Sequence, residues 1–329
     1  MSRLLEPLTI GALTLKNRLV LPPMATSKAR PDGSINDELL EYYDEKSRGG
    51  ALGLAITEHC FISVQGRNRV GQPSVADDAM LGGLTALAGV LHANGVPAVV
   101  QISHAGAASV EPDRPLVGPS DVPTPLGTGQ RPRPLTLEEI ANLPHQFAAA
   151  ARRVKDAGFD GVEIHSAHGY LLNQFLSPLT NHRIDQYGGV LENRIRLHVE
   201  TIHAVRDEVG PDFLLLLRLG ARDYLEGGTV IEDSIQAALW FEEAGVDVLD
   251  ITGGLTGYVR PGNDEPGYFS ELSAPIKSAV SIPVILTGGV TEADQAESLL
   301  VSEAADQIGV GRAMLRDSAW ALNAVRAVH

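Results

Sequence analysis

Eight short apolar runs, each followed by a stretch with helical spacing, constrain this chain more than any other feature. The runs are Arg18–Met24, Leu52–Thr57, Ala98–Ile102, Gly161–His165, Phe213–Leu219, Val246–Ile251, Val284–Thr287 and Gln307–Val310. Helical stretches follow at Asp37–Arg48, Asp78–Ala93, Thr136–Ala157, Leu191–Glu208, Ile231–Glu243, Ser270–Ala279, Glu292–Val301 and Ala313–Val328. A strand that returns through a helix runs parallel to its predecessor, so the alternation predicts a parallel sheet. Nearly all the runs are apolar throughout rather than at every second residue, as in strands buried on both faces. Gly158 and Gly245 each close a helical stretch just before the next run, where a left-handed cap belongs.

Eight such units predict an α/β fold of one kind, a TIM (β/α)8 barrel, in preference to an open doubly wound sheet. An open dinucleotide-binding sheet would carry G-x-G-x-x-G after its first strand, and none stands there; nor does the chain hold a Walker A loop. A single domain over residues 1–329 is expected, with the long connections after strands 3, 4 and 6 gathered at the C-terminal face, where barrel active sites lie. The connection His104–Leu135 is rich in proline and glycine, and the segments Leu116–Arg133 and Leu255–Tyr268 are expected to shape the pocket.

Charge narrows the partners. Acidic residues outnumber basic ones 41 to 26, a formal net charge of −15, which repels phosphate backbones and anionic lipid. Nucleic acid and membrane are therefore not expected as partners, and any bound phosphate must be held by a few local groups. No apolar run is long enough to span a bilayer, and the opening MSRLLEPLTIG lacks the apolar centre of a secretion signal, so a cytoplasmic address is expected. Cys60 is the only cysteine, which leaves no intramolecular disulfide and no four-thiolate iron–sulfur site.

In a barrel the chemistry sits at strand C-termini. The polar residues there are Thr26, His59, Gln101, His165, His168 and Arg218, and an apolar core has no use for them as a set. Strands 7 and 8 end instead in glycines, Gly288–Gly289 and Gly311, with Arg312 next to the last. Barrels commonly bind phosphate at these two ends; glycine lets backbone N–H groups approach closely, and arginine adds a charged fork. In the segment E163-I-H-S-A-H-G-Y170, His165 and His168 can reach one ligand atom. They could hold a metal, given a third ligand such as His59 or His104, although no carboxylate cluster supports one. They could equally donate hydrogen bonds to a carbonyl oxygen or phenolate, with Tyr170 as an acid.

The run H165-S-A-H-G-Y-L-L-N-Q-F-L-S-P-L-T-N-H-R-I-D-Q-Y-G-G189, continuing to Asn193–Arg194, resembles the most characteristic stretch of the Old Yellow Enzyme flavoproteins. The opening LLEPLTIGALTLKNRLVLPPM, Q101-I-S-H-A-G106, LRLGARDY around Arg218, TGGV and GVGR resemble further motifs of that family in the same order, from about Leu5 to Arg316. The resemblance implies noncovalent FMN, NADPH or NADH as reductant, and an NAD(P)H-dependent flavin oxidoreductase acting as an ene-reductase on alkenes activated by a carbonyl or similar group. It implies that Pro22, Pro23, Met24, Ala25 and Thr26 lie against the flavin. By the same likeness Gln101 meets its pyrimidine edge, Arg218 sits beside N1 and O2, and Gly288, Gly289, Gly311 and Arg312 take the phosphate. His59 is counted with the cofactor residues. His165 and His168 would bind the substrate carbonyl, and Tyr170 would protonate the α-carbon while hydride reaches the β-carbon. No metal is expected.

The chain departs from the family pattern in places. Ala25 stands where members commonly have threonine or cysteine, and the larger relatives with an iron–sulfur cluster have no counterpart here for its cysteines. The chain also stops soon after its last helix, so the C-terminal arginine that one bacterial subgroup lends to its neighbour is not expected. A metal-dependent hydrolase barrel using His165 and His168 is the rival from another class, and an oxidase or dehydrogenase activity the rival within the family. Assembly into a homo-oligomer is compatible with either.

Overall fold

Strands that are apolar on both faces must be covered on both, and a closed barrel ringed by helices does this. In the computed structural model, which describes residues 2–111 and 114–328, the eight runs form β1 (Leu19–Leu21), β2 (Leu54–Phe61), β3 (Ala98–Ser103), β4 (Gly161–Ser166), β5 (Leu214–Gly220), β6 (Val248–Thr252), β7 (Val284–Thr287) and β8 (Gln307–Gly309). All neighbours pair in parallel, and β8 returns to β1 in the register Ile308↔Leu19, closing the ring. The covering helices are α1 (Asp37–Ser47), α2 (Leu81–Ala93), α3 (Leu137–Asp156), α4 (Arg196–Val209), α5 (Ile231–Glu243), α6 (Ser270–Ala279), α7 (Ala293–Val301) and α8 (Trp320–Ala327). Their apolar faces pack Leu39, Leu84, Phe147, Ile202, Phe241, Leu272 and Leu300 against the outside of the barrel. Among the described residues no helix is long and apolar enough to cross a membrane.

Two helical stretches are shorter than their sequence spacing suggests. Residues Leu191–Arg194 form a separate turn before α4. The last stretch breaks into Arg312–Arg316 and α8, because Asp317 is extended and receives the N–H groups of Ala319 and Trp320 at its side-chain and backbone oxygens. The loops after β3, β4 and β6 are long, as expected, and so are those after β1 (residues 22–36) and β2 (residues 62–80).

The interior is layered. At its N-terminal end Val20, Leu54, Ile56, Val99, Leu214, Leu216, Val248 and Ile285 fill the barrel. An antiparallel hairpin not anticipated from sequence, Leu8–Ile10 with Leu13–Leu15, presses Ile10 and Leu15 onto this layer. Gly11 makes its turn at φ +55°. Above lies a polar layer in which Gln101 pairs in register with Glu163, and Arg218 with Asp250.

A repeated device pins the strand entries. Asp160, Asp247 and Asp306 stand at the entries to β4, β6 and β8. Each donates its backbone N–H to the carbonyl of Ala98, Leu215 or Val284 on the preceding strand, at 2.9, 2.8 and 2.8 Å. Each carboxylate accepts the N–H of that same residue, at 2.7, 2.8 and 2.9 Å. The exchange locks register where a slip would carry every inward side chain outward. Arg206 ties one of these sites further, binding Asp247 at 2.6 Å and the carbonyls of Gly245 and Phe213. Asp247→Ala strands the Leu215 N–H and the Arg206 guanidinium, so urea unfolding is expected to show a loss of about 1–3 kcal/mol. A loss within experimental error would assign the register to side-chain packing alone.

Candidate functional site

A cavity of about 700 Å³ opens at the C-terminal end of the barrel, a volume ordinary for small-molecule sites. Of the residues singled out from the sequence, Pro22, Pro23, Met24, Ala25, His59, Gln101, His165, His168, Tyr170, Arg218, Gly288, Gly289, Gly311 and Arg312 all line it. Thr26 does not. Its N–H and hydroxyl both bond the carboxylate of Glu58, at 2.9 and 2.5 Å, which turns it away from the cavity.

One wall is bare backbone. A Cβ on Gly288 would stand 2.8 Å from the Tyr268 ring, and one on Gly309 only 1.9 Å from Thr287 Oγ1. Gly289 sits at φ +73°. The wall is therefore restricted to glycine and stays open to a ligand. Beside it Arg312 is exposed, its Nη2 donating to the Tyr268 hydroxyl at 3.2 Å, and that hydroxyl donates to the Tyr258 carbonyl at 2.9 Å. A guanidinium held in this way, next to backbone free of side chains, suits a phosphate.

The floor is the polar layer. Gln101 Nε2 donates to Glu163 at 2.6 Å, and Arg218 Nε lies 3.2 Å from Asp250 Oδ2 at an angle too poor for a hydrogen bond. Two carboxyl groups thus share one guanidinium inside the barrel. Burial, and then the charge of Asp250, push the Glu163 carboxyl above its ordinary range; burial pushes Asp250 up likewise, with Arg218 opposing both. Several buried atoms lack any partner: Glu163 Oε1, both Asp250 oxygens, Arg218 Nε, both polar ends of Gln307, Thr287 Oγ1 and His165 Nδ1. Such atoms are rare in folded proteins, and Arg218, Thr287 and His165 line the cavity. A planar polar ligand with a phosphate tail, such as FMN, fits this donor set and the open glycine wall.

The remaining wall carries the acid–base groups. His168 adopts φ +57°, unusual for histidine, and its Nε2 meets Thr252 Oγ1 at 3.1 Å. The His165 ring lies 5.1 Å from His168 and 4.7 Å from Tyr170, centre to centre. Burial holds both imidazoles well below the ordinary histidine range, so they are neutral and offer N–H donors rather than charge. Burial raises the Tyr170 phenol, partly offset by Arg69 and by a hydrogen bond from Asn68. Among the described residues no three His, Cys, Asp or Glu side chains converge as a metal site.

The sequence did not point to Asn68, Arg69, Glu163, Asp250 or Thr287. Glu163 and Asp250 could have been found, since each is an acid within a strand, flanked on both sides by apolar residues. Asn68 and Arg69 come from the loop after β2, where no periodicity marks them.

The family described as NADH:flavin oxidoreductase / NADH oxidase matches residues 3–327. An NADH oxidase of Thermoanaerobacter brockii is 40% identical over 94% of this chain and 49% of its own, so the chain spans about half the length of that relative. An NADPH dehydrogenase of Halalkalibacterium halodurans is 37% identical over 97% of this chain and 92% of its own. Among solved structures, an old yellow enzyme homologue from Zymomonas mobilis superposes with a TM-score of 0.82 at 28% identity, over 96% of this chain and 90% of that one.

The shared guanidinium has a consequence for stability. A carboxyl raised in the folded protein stays protonated there at pH values where the unfolded chain has already lost the proton. Its contribution is complete below the unfolded carboxylate range and declines as pH rises through the folded value. Glu163→Gln removes this group and relieves its neighbour. In urea unfolding of flavin-free protein between roughly pH 5 and 9, wild type should lose stability relative to the variant as pH rises. Parallel curves would place the titration elsewhere.

Proposed function

The chain belongs to the NADH:flavin oxidoreductase / NADH oxidase family, the Old Yellow Enzyme family of its sequence motifs, and on that premise we propose that it is an FMN-dependent ene-reductase. The observation that carries the reading is the convergence of two neutral histidines and a phenol on a cavity whose other walls suit a flavin and its phosphate. Bound FMN would supply two-electron chemistry, accepting hydride from NAD(P)H and passing it to an alkene activated by a carbonyl or similar group.

The roles of the chain's own residues follow from their chemistry. Gly288, Gly289, Gly311 and Arg312 would hold the phosphate. Pro22, Pro23, Met24 and Ala25 form a wall against the ring system, and Ala25 brings only a methyl group, so no side-chain hydrogen bond comes from that position. Gln101 offers an amide to the pyrimidine edge. Arg218 offers a cation where negative charge would gather, tempered by Asp250 behind it. His165 and His168, being neutral, would donate to the substrate's carbonyl oxygen and polarise it without a proton to lose across the neutral range. Tyr170 would give its proton to the α-carbon.

Purified protein should be yellow and release FMN rather than FAD when denatured. Arg312→Ala should weaken retention of FMN on dilution by about 10- to 150-fold, the size of a hydrogen bond between charged groups. A colourless protein that does not rebind FMN would sink the reading. Tyr170→Phe keeps the ring and removes the proton. Stopped-flow measurement should find flavin reduction by NAD(P)H near normal and the alkene-reducing half slowed by about 10²–10⁴-fold. Equal slowing of both halves would instead give Tyr170 a packing role.

A further inference from the structure

The Tyr170 hydroxyl is met by two side chains that line the cavity beside it, and each is oriented by a third group. Asn68 Nδ2 lies 2.7 Å from it. The same nitrogen faces the Ala108 carbonyl at 3.3 Å, which can only accept, and Asn68 Oδ1 receives Arg69 Nε at 3.2 Å, which can only donate. The amide therefore turns its N–H toward Tyr170. His59 Nε2 lies 3.4 Å from the same hydroxyl, and His59 Nδ1 lies 2.6 Å from Gln72 Nε2. Gln72 is fixed in its turn: its Oε1 accepts the Asn68 backbone N–H at 2.7 Å, and its Nε2 donates to the His59 carbonyl at 3.1 Å. His59 Nδ1 is thus an acceptor, and a neutral ring must carry its single proton on Nε2, facing Tyr170. The charged and titratable groups around His59 are Arg69, Arg218, His165, His168 and Tyr170. Burial, reinforced by the two arginines, pushes its pKa down to about 4, so it is neutral at ordinary pH.

We infer that Asn68, Gln72 and His59 are positioning residues that make Tyr170 a one-way proton donor. Both groups donate into the phenolic oxygen, so its own O–H is left for an acceptor in the cavity. This rests on the role proposed above for Tyr170. In that step the Tyr170 O–H bond breaks and a C–H bond forms at the α-carbon, using the electron pair left there when hydride adds at the β-carbon. The phenolate that remains keeps both N–H donors and regains its proton from water. His59, grouped with the cofactor residues on sequence, instead serves the tyrosine.

Two measurements test this. In ¹⁵N-histidine-labelled protein, with the His59 resonances assigned by their loss in His59→Gln, NMR should find Nε2 protonated and Nδ1 bare, without titration near neutrality. A protonated Nδ1 would overturn the inference. Asn68→Asp is nearly isosteric and still accepts from Arg69, but its carboxylate accepts the Tyr170 proton and draws it back. The alkene-reducing half-reaction should slow about as much as in Tyr170→Phe, about 10²–10⁴-fold, while flavin reduction stays near normal. It should recover as pH falls and the introduced carboxyl takes up a proton of its own. Slowing of both halves, or a loss that does not recover at low pH, would mean that Asn68 only supports the loop and would overturn the inference. If Tyr170→Phe leaves alkene reduction intact while His59 still carries its proton on Nε2, the catalytic reading of Tyr170 fails, and the positioning role with it.

Discussion

An eight-stranded parallel barrel has an interior just wide enough for side chains, and the arrangement of this molecule depends on how that column is filled. The bottom is aliphatic and contributes cohesion. The middle holds Gln101, Glu163, Arg218 and Asp250, a layer with two acidic groups and one basic one. The top is left to the loops, whose histidines, tyrosine and glycines surround the cavity. The apolar layer below and the ring of helices outside close the middle one off from below and from the side, leaving the cavity above as its approach. Closure of β8 onto β1 makes this possible, because an open sheet would leave the layer accessible from an edge.

Much of this was legible in the sequence, for a physical reason. Parallel strands buried on both faces cannot hide their pattern, and polar residues toward their C-terminal ends stand out against it, so His59, Gln101, His165 and Arg218 could be read directly. The ends of strands 7 and 8 were legible because only glycine meets the close approaches at Gly288 and Gly309. Thr26 was grouped with its neighbours and proved to face Glu58, an acid inside β2 that no local rule pairs with it.

What stayed hidden depends on contacts between distant segments. Asn68 reaches Tyr170 across 102 positions, and Asp160, Asp247 and Asp306 act on strands that precede them by a whole helix. Before folding, each is an ordinary polar residue in a turn. Charge within a strand is a different matter. Glu163 and Asp250 interrupt apolar runs where desolvation is costly, and the interruption was itself the available signal.

The hairpin beneath the barrel also bears on traffic. With Ile10 and Leu15 seated on the aliphatic layer, the lower end is stoppered, and the cavity is a cul-de-sac with its mouth among the upper loops. Whatever enters must leave the way it came. Two reactants that need the same wall must then queue, the first departing before the second can dock, and the order of events is imposed by plumbing as much as by chemistry.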